Sequence, residues 1–166
     1  MTREELLERY ATGERDFRGI DLREVKLDRI QLPGVNLSGA NLIGVNLSGA
    51  NLIGANLSGA NLIGIRLRNT KLDGANLSES NLQCASLEGA MLEDINLTGA
   101  SLIESNFTAA NLSGAELFKA SAIFTNFTRA NLKNARSFYF MQCIHEIILD
   151  QTIMPDGSIE KEFRIL

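Results

Sequence analysis

A nucleophile needs a base beside it, and this sequence offers a single histidine for that role. His145 stands two residues from Cys143 in Cys-Ile-His. A thiolate–imidazole pair can be nucleophilic, and the same two groups are metal ligands. The pair is too close in sequence to form a recognisable metal set alone, and Cys84, the other cysteine, has no metal spacing around it. No P-loop, no G-x-G-x-x-G opening a helix and no H-E-x-x-H is present. The reading is therefore no catalytic residue, no metal site and no cofactor. Without a disulfide framework, both cysteines read as reduced thiols.

Charge is the next resource. Seven acids and no Lys or Arg fall between Asp73 and Glu116, whereas Arg15, Arg18, Arg23, Lys26 and Arg29 crowd the N-terminal part, and Val35 to Ile65 carry no charge. The whole 166-residue chain is mildly acidic, net −4 with a pI of about 5.1, so no strong field for nucleic acid or anionic membrane is implied. The length suits one domain. The start, Met1-Thr-Arg-Glu-Glu-Leu-Leu, is too charged for a signal peptide, and no apolar run reaches a membrane span. A soluble cytoplasmic protein is the expectation.

The elements that hold these groups come from a repeat. Counting in fives from Phe17 finds Leu22, Leu27, Leu32 and then leucine at every step to Leu102, followed by Phe107, Leu112, Leu117, Ala122, Phe127 and Leu132. These are twenty-four consecutive positions. A small or β-branched residue (Ile20, Ala40, Ala50, Ile65) sits two places before each, and a polar residue, most often Asn, one place before. Twelve of the fourteen glycines fall two places after. A period of five would scatter leucines around an α-helix and alternate them across a strand. It makes one core only if each pentapeptide is a short extended side ending in a corner, with glycine supplying the positive φ.

The units Ala-Asn-Leu-Ser-Gly and Ala-Asn-Leu-Ile-Gly resemble the A(D/N)LXX motif of the pentapeptide-repeat proteins, from Phe17 to about Asn134. The resemblance implies an all-β solenoid, a right-handed quadrilateral β-helix with four pentapeptides per coil. Twenty-four units then make about six coils, a tower roughly 25 to 30 Å tall at the usual strand spacing. Phe107 and Phe127 would fill space left by Ala122. Thr70, Ser80, Ser105 and Thr125 would bond their hydroxyls to corner backbone.

Solenoid ends need caps. Residues 1–14 read as an N-terminal helical cap: Thr2 and Glu5 form a capping box, Leu6, Leu7 and Tyr10 share a face, and Gly13 ends the helix. Residues 15–134 form the β-helix. In residues 135–166 the phase breaks; Tyr139, Ile144, Leu149 and Met154 resume it two residues late, as a degraded seventh coil or else a short terminal helix. Met154-Pro-Asp-Gly-Ser-Ile159 contains a turn and is similar to a tail ending many cyanobacterial members of the family.

With four sides, adding twenty sorts the outward residues into columns. One column reads Ile43, Ile63, Gln83, Ile103, Ile123, with Phe124 next to the last. It is either an interface or ordinary strand surface. Asp73, Glu93 and Asp94 share another side, a candidate acidic face. The resemblance gives that band a second meaning, since quinolone-resistance members mimic DNA and bind gyrase. The functional expectation is a rigid, non-catalytic protein-binding or scaffolding module with an unidentified protein partner or a homodimer, and no direct nucleic-acid or membrane contact. The alternative is a DNA-mimic modulator of a topoisomerase.

Overall fold

The computed structural model describes residues 1–160, except the side chains of Cys143 and Ile144, so the Cys143 thiol and the expected ladder position of Ile144 lie outside the described residues. From Asp16 to Arg136 parallel bridges join residues twenty apart, as in Asn36 to Asn56 to Asn76 to Asn96. Twenty residues therefore make one coil of four sides. The first side is centred on Phe17 and Leu37, the second on Leu22 and Leu42, the third on Leu27 and Leu47, the fourth on Leu32 and Leu52.

The repeat consensus follows from the demand that every backbone donor near a dry core be satisfied. In Ala55–Gly59, Ala55 N–H closes the corner onto Leu52 O at 3.0 Å. Asn56 N–H reaches down one coil to Val35 O at 2.9 Å, while Leu57 and Gly59 reach up to Asn76 O at 2.7 Å and Ser58's stacked mate Ser78 O at 2.8 Å. That leaves Ser58 N–H, which donates to the Asn56 side-chain Oδ1 at 3.1 Å. Asparagine recurs because an Asx turn uses its side chain as the fifth acceptor. Where Asp16, Asp21 or Glu116 replaces it, a carboxylate oxygen accepts the same N–H.

Leu and Ala side chains stack inside, essentially without exposure. Phe107 and Phe127 stack on each other with ring centroids 5.3 Å apart. The buried hydroxyls find carbonyls: Thr70 donates to Leu47 O and Thr125 to Leu102 O, at 2.9 and 2.8 Å, and Ser80 and Ser105 to Leu77 O and Leu102 O.

Helix α1 (Arg3–Ala11) starts with the Thr2–Glu5 capping box and lies on the first coil. Leu6 is fully buried, with Leu7 and Tyr10 packed beside it. Arg3 donates to Lys26 O at 2.6 Å and to Asp28 O at 3.2 Å, and Tyr10 OH to Pro33 O at 2.7 Å. These bonds occupy first-coil carbonyls that have no coil beneath them.

At the other end a further turn of chain stacks on the sixth coil. Strand β1 (Ser121–Ile123) pairs in parallel with β2 (Gln142–His145), and Asn126 and Asn131 bridge Ile148 and Ile153. The phase shift is taken in two steps. Arg136 is still twenty residues from Glu116, Gln142 is twenty-one from Ser121, and His145 is twenty-two from Ile123 across a bulge. The expected ladder position of Tyr139 is therefore wrong. Before the full shift has accumulated, Phe138 takes the interior at 3% exposure, and Tyr139, in the 3-10 turn Phe138–Phe140, stands out at 73%. Ile147, Leu149 and Thr152 are buried. The Pro-Asp-Gly turn then folds back, with Ile159 antiparallel to Ile153.

Candidate interaction surface

The outward residues of the second side are held in register by the same backbone bonds that build the core. Ile43, Ile63 and Gln83 each donate their N–H to the Asx oxygen of Asn41, Asn61 and Asn81. Ile43 is exposed, while Ile63, Ile103 and Ile123 are half-buried, since each stacks against the coil above and below. The five residues form one low ridge along the tower.

Beside it runs the corner column Gly44, Gly64, Cys84, Glu104, Phe124, every member at positive φ between 53° and 67°. Space outside Gly44 and Gly64 is open, for a Cβ built there meets nothing within 4 Å. At the other end Phe124 projects half-exposed and packs edge-on against His145, centroids 6.3 Å apart. Between them Cys84 is a free, exposed thiol that donates to Glu104 at 3.4 Å. That hydrogen bond, reinforced by partial desolvation, pushes the thiol pKa up, so Cys84 is protonated and a poor nucleophile at neutral pH. His145 sits 3.2 Å from Glu146.

The charged candidates are dispersed. Asp73, Glu93 and Asp94 do share the fourth side, where Glu93 N–H donates to Asp73 Oδ1 at 3.0 Å and the Asp94 carboxylate covers Gly114. Lys71 is on that side too. The remaining acids of the band sit elsewhere: Glu79 and Glu116 on the first side, Glu104 on the second, Glu88 on the third. Glu88 holds Arg68 at 2.9 Å, one coil away, and Glu116 lies 3.6 Å from Arg136. Nor is the N-terminal end a free basic patch. Arg18 and Arg23 clamp Asp16 and Asp21 at 2.7 and 2.6 Å, and Arg15 stacks over the Tyr10 ring at 3.6 Å.

Sequence sorting passed over several exposed apolar side chains. Ile53, Met91 and Phe118 occupy outward slots that the same twenty-residue addition reaches. Tyr139 and Phe140 required knowledge of the 3-10 turn. Among the described residues no three His, Cys, Asp or Glu are grouped to hold a metal ion, and no helix is long and apolar enough to cross a membrane.

A family profile described as pentapeptide repeats (8 copies) matches residues 16–54, 30–69, 60–99 and 95–134, the stretch that forms the coils. The chain belongs to the pentapeptide-repeat family. It is accordingly a right-handed quadrilateral β-helix with a short N-terminal helix. Among solved structures it is similar to HetL, a pentapeptide-repeat protein involved in heterocyst differentiation regulation from the cyanobacterium Nostoc sp. strain PCC 7120, at 25% identity over 96% of this chain and 100% of that one, TM-score 0.35. It is also similar to Rfr23 from the cyanobacterium Cyanothece 51142 (29% identity, 76% of this chain and 89% of that one, TM-score 0.36). A third relative is QnrB1, a plasmid-mediated fluoroquinolone resistance protein, at 19% identity over 69% of this chain and 73% of that one, TM-score 0.34. No curated protein matches the chain. The family assignment rests on the repeat.

Proposed function

We propose that this protein is a rigid, non-catalytic binding or scaffolding module whose contact surface is the second side, with Ile43, Ile63, Ile103, Ile123 and Phe124 as its apolar residues. One observation carries the reading: outward isoleucines stand in vertical register on a side whose only charge between Glu24 and His145 is Glu104. Isolated exposed isoleucines are ordinary, whereas an apolar ridge interrupted only by Gln83 on an inflexible frame is what a protein partner can use. The dense inter-coil bonding leaves little freedom for a lid or a closing cleft. With Cys84 held protonated and His145 on Glu146, the side chains most suited to chemistry are engaged with carboxylates. A cytoplasmic setting suits the free thiol.

The topoisomerase reading draws support from the likeness to a fluoroquinolone resistance protein, but a phosphate mimic needs rows of uncompensated negative charge. Here the seven acids are divided among four sides, and Glu88 and Glu116 lie beside arginines. Capture from a lysate of the native cell tests the primary reading. Immobilised wild type should retain a protein that the Ile103→Lys/Ile123→Lys variant loses while keeping its β-rich circular dichroism. Equal capture by both would sink the ridge as a contact surface. Inhibition of gyrase supercoiling by the wild type would favour the alternative instead.

A further inference from the structure

The outward column of the second side is a palindrome. Read up or down the tower it runs Ile, Ile, Gln, Ile, Ile, centred on Gln83. We propose that this side is a two-fold dimer interface between two copies of the chain, lying face to face with their towers antiparallel, the symmetry axis running along the strand direction through Gln83. The proposal rests on the reading of the second side as the contact surface and names its occupant.

A two-fold along the strand direction reverses the order of coils and leaves each column facing its own copy. Ile43 then meets the partner's Ile123, and Ile63 meets the partner's Ile103. Gln83 meets the partner's Gln83, where two carboxamides, each donor and acceptor, can exchange a reciprocal pair of hydrogen bonds. The break in the isoleucine row therefore falls on the axis itself.

The corner column is self-complementary under the same operation. Phe124, half-exposed, comes opposite the partner's Gly44, and Glu104 opposite the partner's Gly64. Those two glycines have open space outside them, so each bulky group faces a notch. Charge is compatible over the central coils. Glu104 meets no like charge, and it stands about 10 Å from the partner's Glu104, two coil spacings away. Beyond the isoleucines, Arg23 and Glu24 arrive at the partner's His145 and Glu146, because His145 continues the Ile123 column and Glu146 the corner column. Glu24 and the partner's Glu146 then face each other as like charges at each end of the interface, and Arg23, one residue away, can reach the partner's Glu146 diagonally and offset part of that repulsion. A second axis choice, along the tower, would set Phe124 near the end of both copies on the same level and leave the glycine notches facing each other.

Area sets the strength. The ridge from Arg23 to His145 spans six coil steps, about 29 Å by about 10 Å of extended chain, so roughly 300 Å² per copy is covered. A stable interface covers about 800 Å² per partner. The dimer is therefore weak and forms at high protein concentration.

Sedimentation equilibrium on the full chain, carried up to the solubility limit, should show a reversible monomer–dimer equilibrium. Ile63→Glu alone and Ile103→Lys alone should each be monomeric with unchanged circular dichroism. Mixed in equal amounts they should associate again, because the glutamate of one faces the lysine of the other. A mixture that stays monomeric, single variants that dimerise like the wild type, or a wild type monomeric throughout would each overturn the proposal. Should either variant misfold, Cys143→Ser protein decides the matter. A short bismaleimide, used at a pH where N-ethylmaleimide labels the Cys84 thiol fully, should join Cys84 to the partner's Cys84 at the axis, and its failure to do so at concentrations where dimer sediments would refute the geometry. A monomeric wild type that still loses its lysate partner on Ile103→Lys/Ile123→Lys substitution would remove the dimer and leave the contact-surface reading standing.

Discussion

The stretches 34–64 and 104–134 share a backbone plan but not a strategy. From Gly34 to Gly64 all seven corner positions are glycine, at φ between 63° and 69°. From Glu104 to Asn134 only Gly114 keeps that residue, and Glu104, Ala109, Lys119, Phe124, Arg129 and Asn134 adopt φ of 53° to 61° all the same. A non-glycine residue in the left-handed region costs about 1–2 kcal/mol. The inter-coil ladder thus imposes the corner whatever the side chain prefers. In the middle the sequence complies and presents a neutral, featureless surface; near the C-terminus it tolerates strain in order to place Phe124 and several charges on the corners. Distinctive surface and unfavourable backbone occur together.

The largest break in this comparison comes from the core, which is common to both regions. Leu52 is fully buried in the fourth-side ladder. Leu52→Lys would put an unpaired ammonium among leucines and should cost more than about 4 kcal/mol, enough to abolish cooperative folding in a thermal melt followed by circular dichroism. Ile103→Lys, on an outward slot of the later coils, should shift stability by only about 0.5 kcal/mol. Comparable losses would mean that inside and outside are not separated as the burial indicates.

Corner chemistry gives an intermediate effect with opposite signs in the two regions. Ala109→Gly should stabilise by about 1 kcal/mol, because it relieves a left-handed alanine, whereas Gly54→Ala in the middle should destabilise by a similar amount. Denaturant melts of the two variants test this directly. Equal signs would show that the corner strain is offset locally, and the contrast between the regions would collapse.

Much of the fold was legible because its signal is redundant. Each leucine of the five-step count names an interior position, each glycine a corner, and the family profile covers the same stretch. The capping box of Thr2 and Glu5 was equally local. Tyr139 was misread because counting assumes a single slip of two residues, while the chain divides the slip between a 3-10 turn and a β-bulge; only the inter-coil bonds reveal which side chain faces in. The charged residues were legible as a list and not as a surface. That Arg18 and Arg23 are neutralised two residues away depends on rotamers the sequence does not state, whereas the Arg68–Glu88 pair follows from the twenty-residue addition, which puts both in one outward slot a coil apart. The palindromic ridge was visible as a column, but its glycine notches acquired meaning only once the space outside them was known to be open.

The smallest effect separates the first coil from the middle through acid. Both use the Asx turn, but the middle uses neutral Asn and the first coil uses Asp16 and Asp21. Hydrogen bonds from the Arg23 side chain and backbone hold the Asp21 pKa down to about 2, against 3.8 ordinarily, and Arg18 lowers that of Asp16 in the same way. A carboxylate whose folded pKa is depressed contributes its full stability above the unfolded value and loses it as pH falls through the folded one. The contribution of Asp21 should therefore be intact above about pH 4 and vanish toward pH 2. Asn56 and its neighbours have nothing to titrate in that window. Hydrogen exchange read by mass spectrometry should show the first-coil segment around Phe17–Arg23 losing protection between pH 4 and 2, after correction for intrinsic exchange rates, while the peptides around Ala55–Gly59 keep theirs. Both carboxylates are exposed to solvent, so the loss should be modest and smaller at high salt. Parallel loss in both segments would point instead to global acid unfolding and remove the distinction between the two kinds of corner.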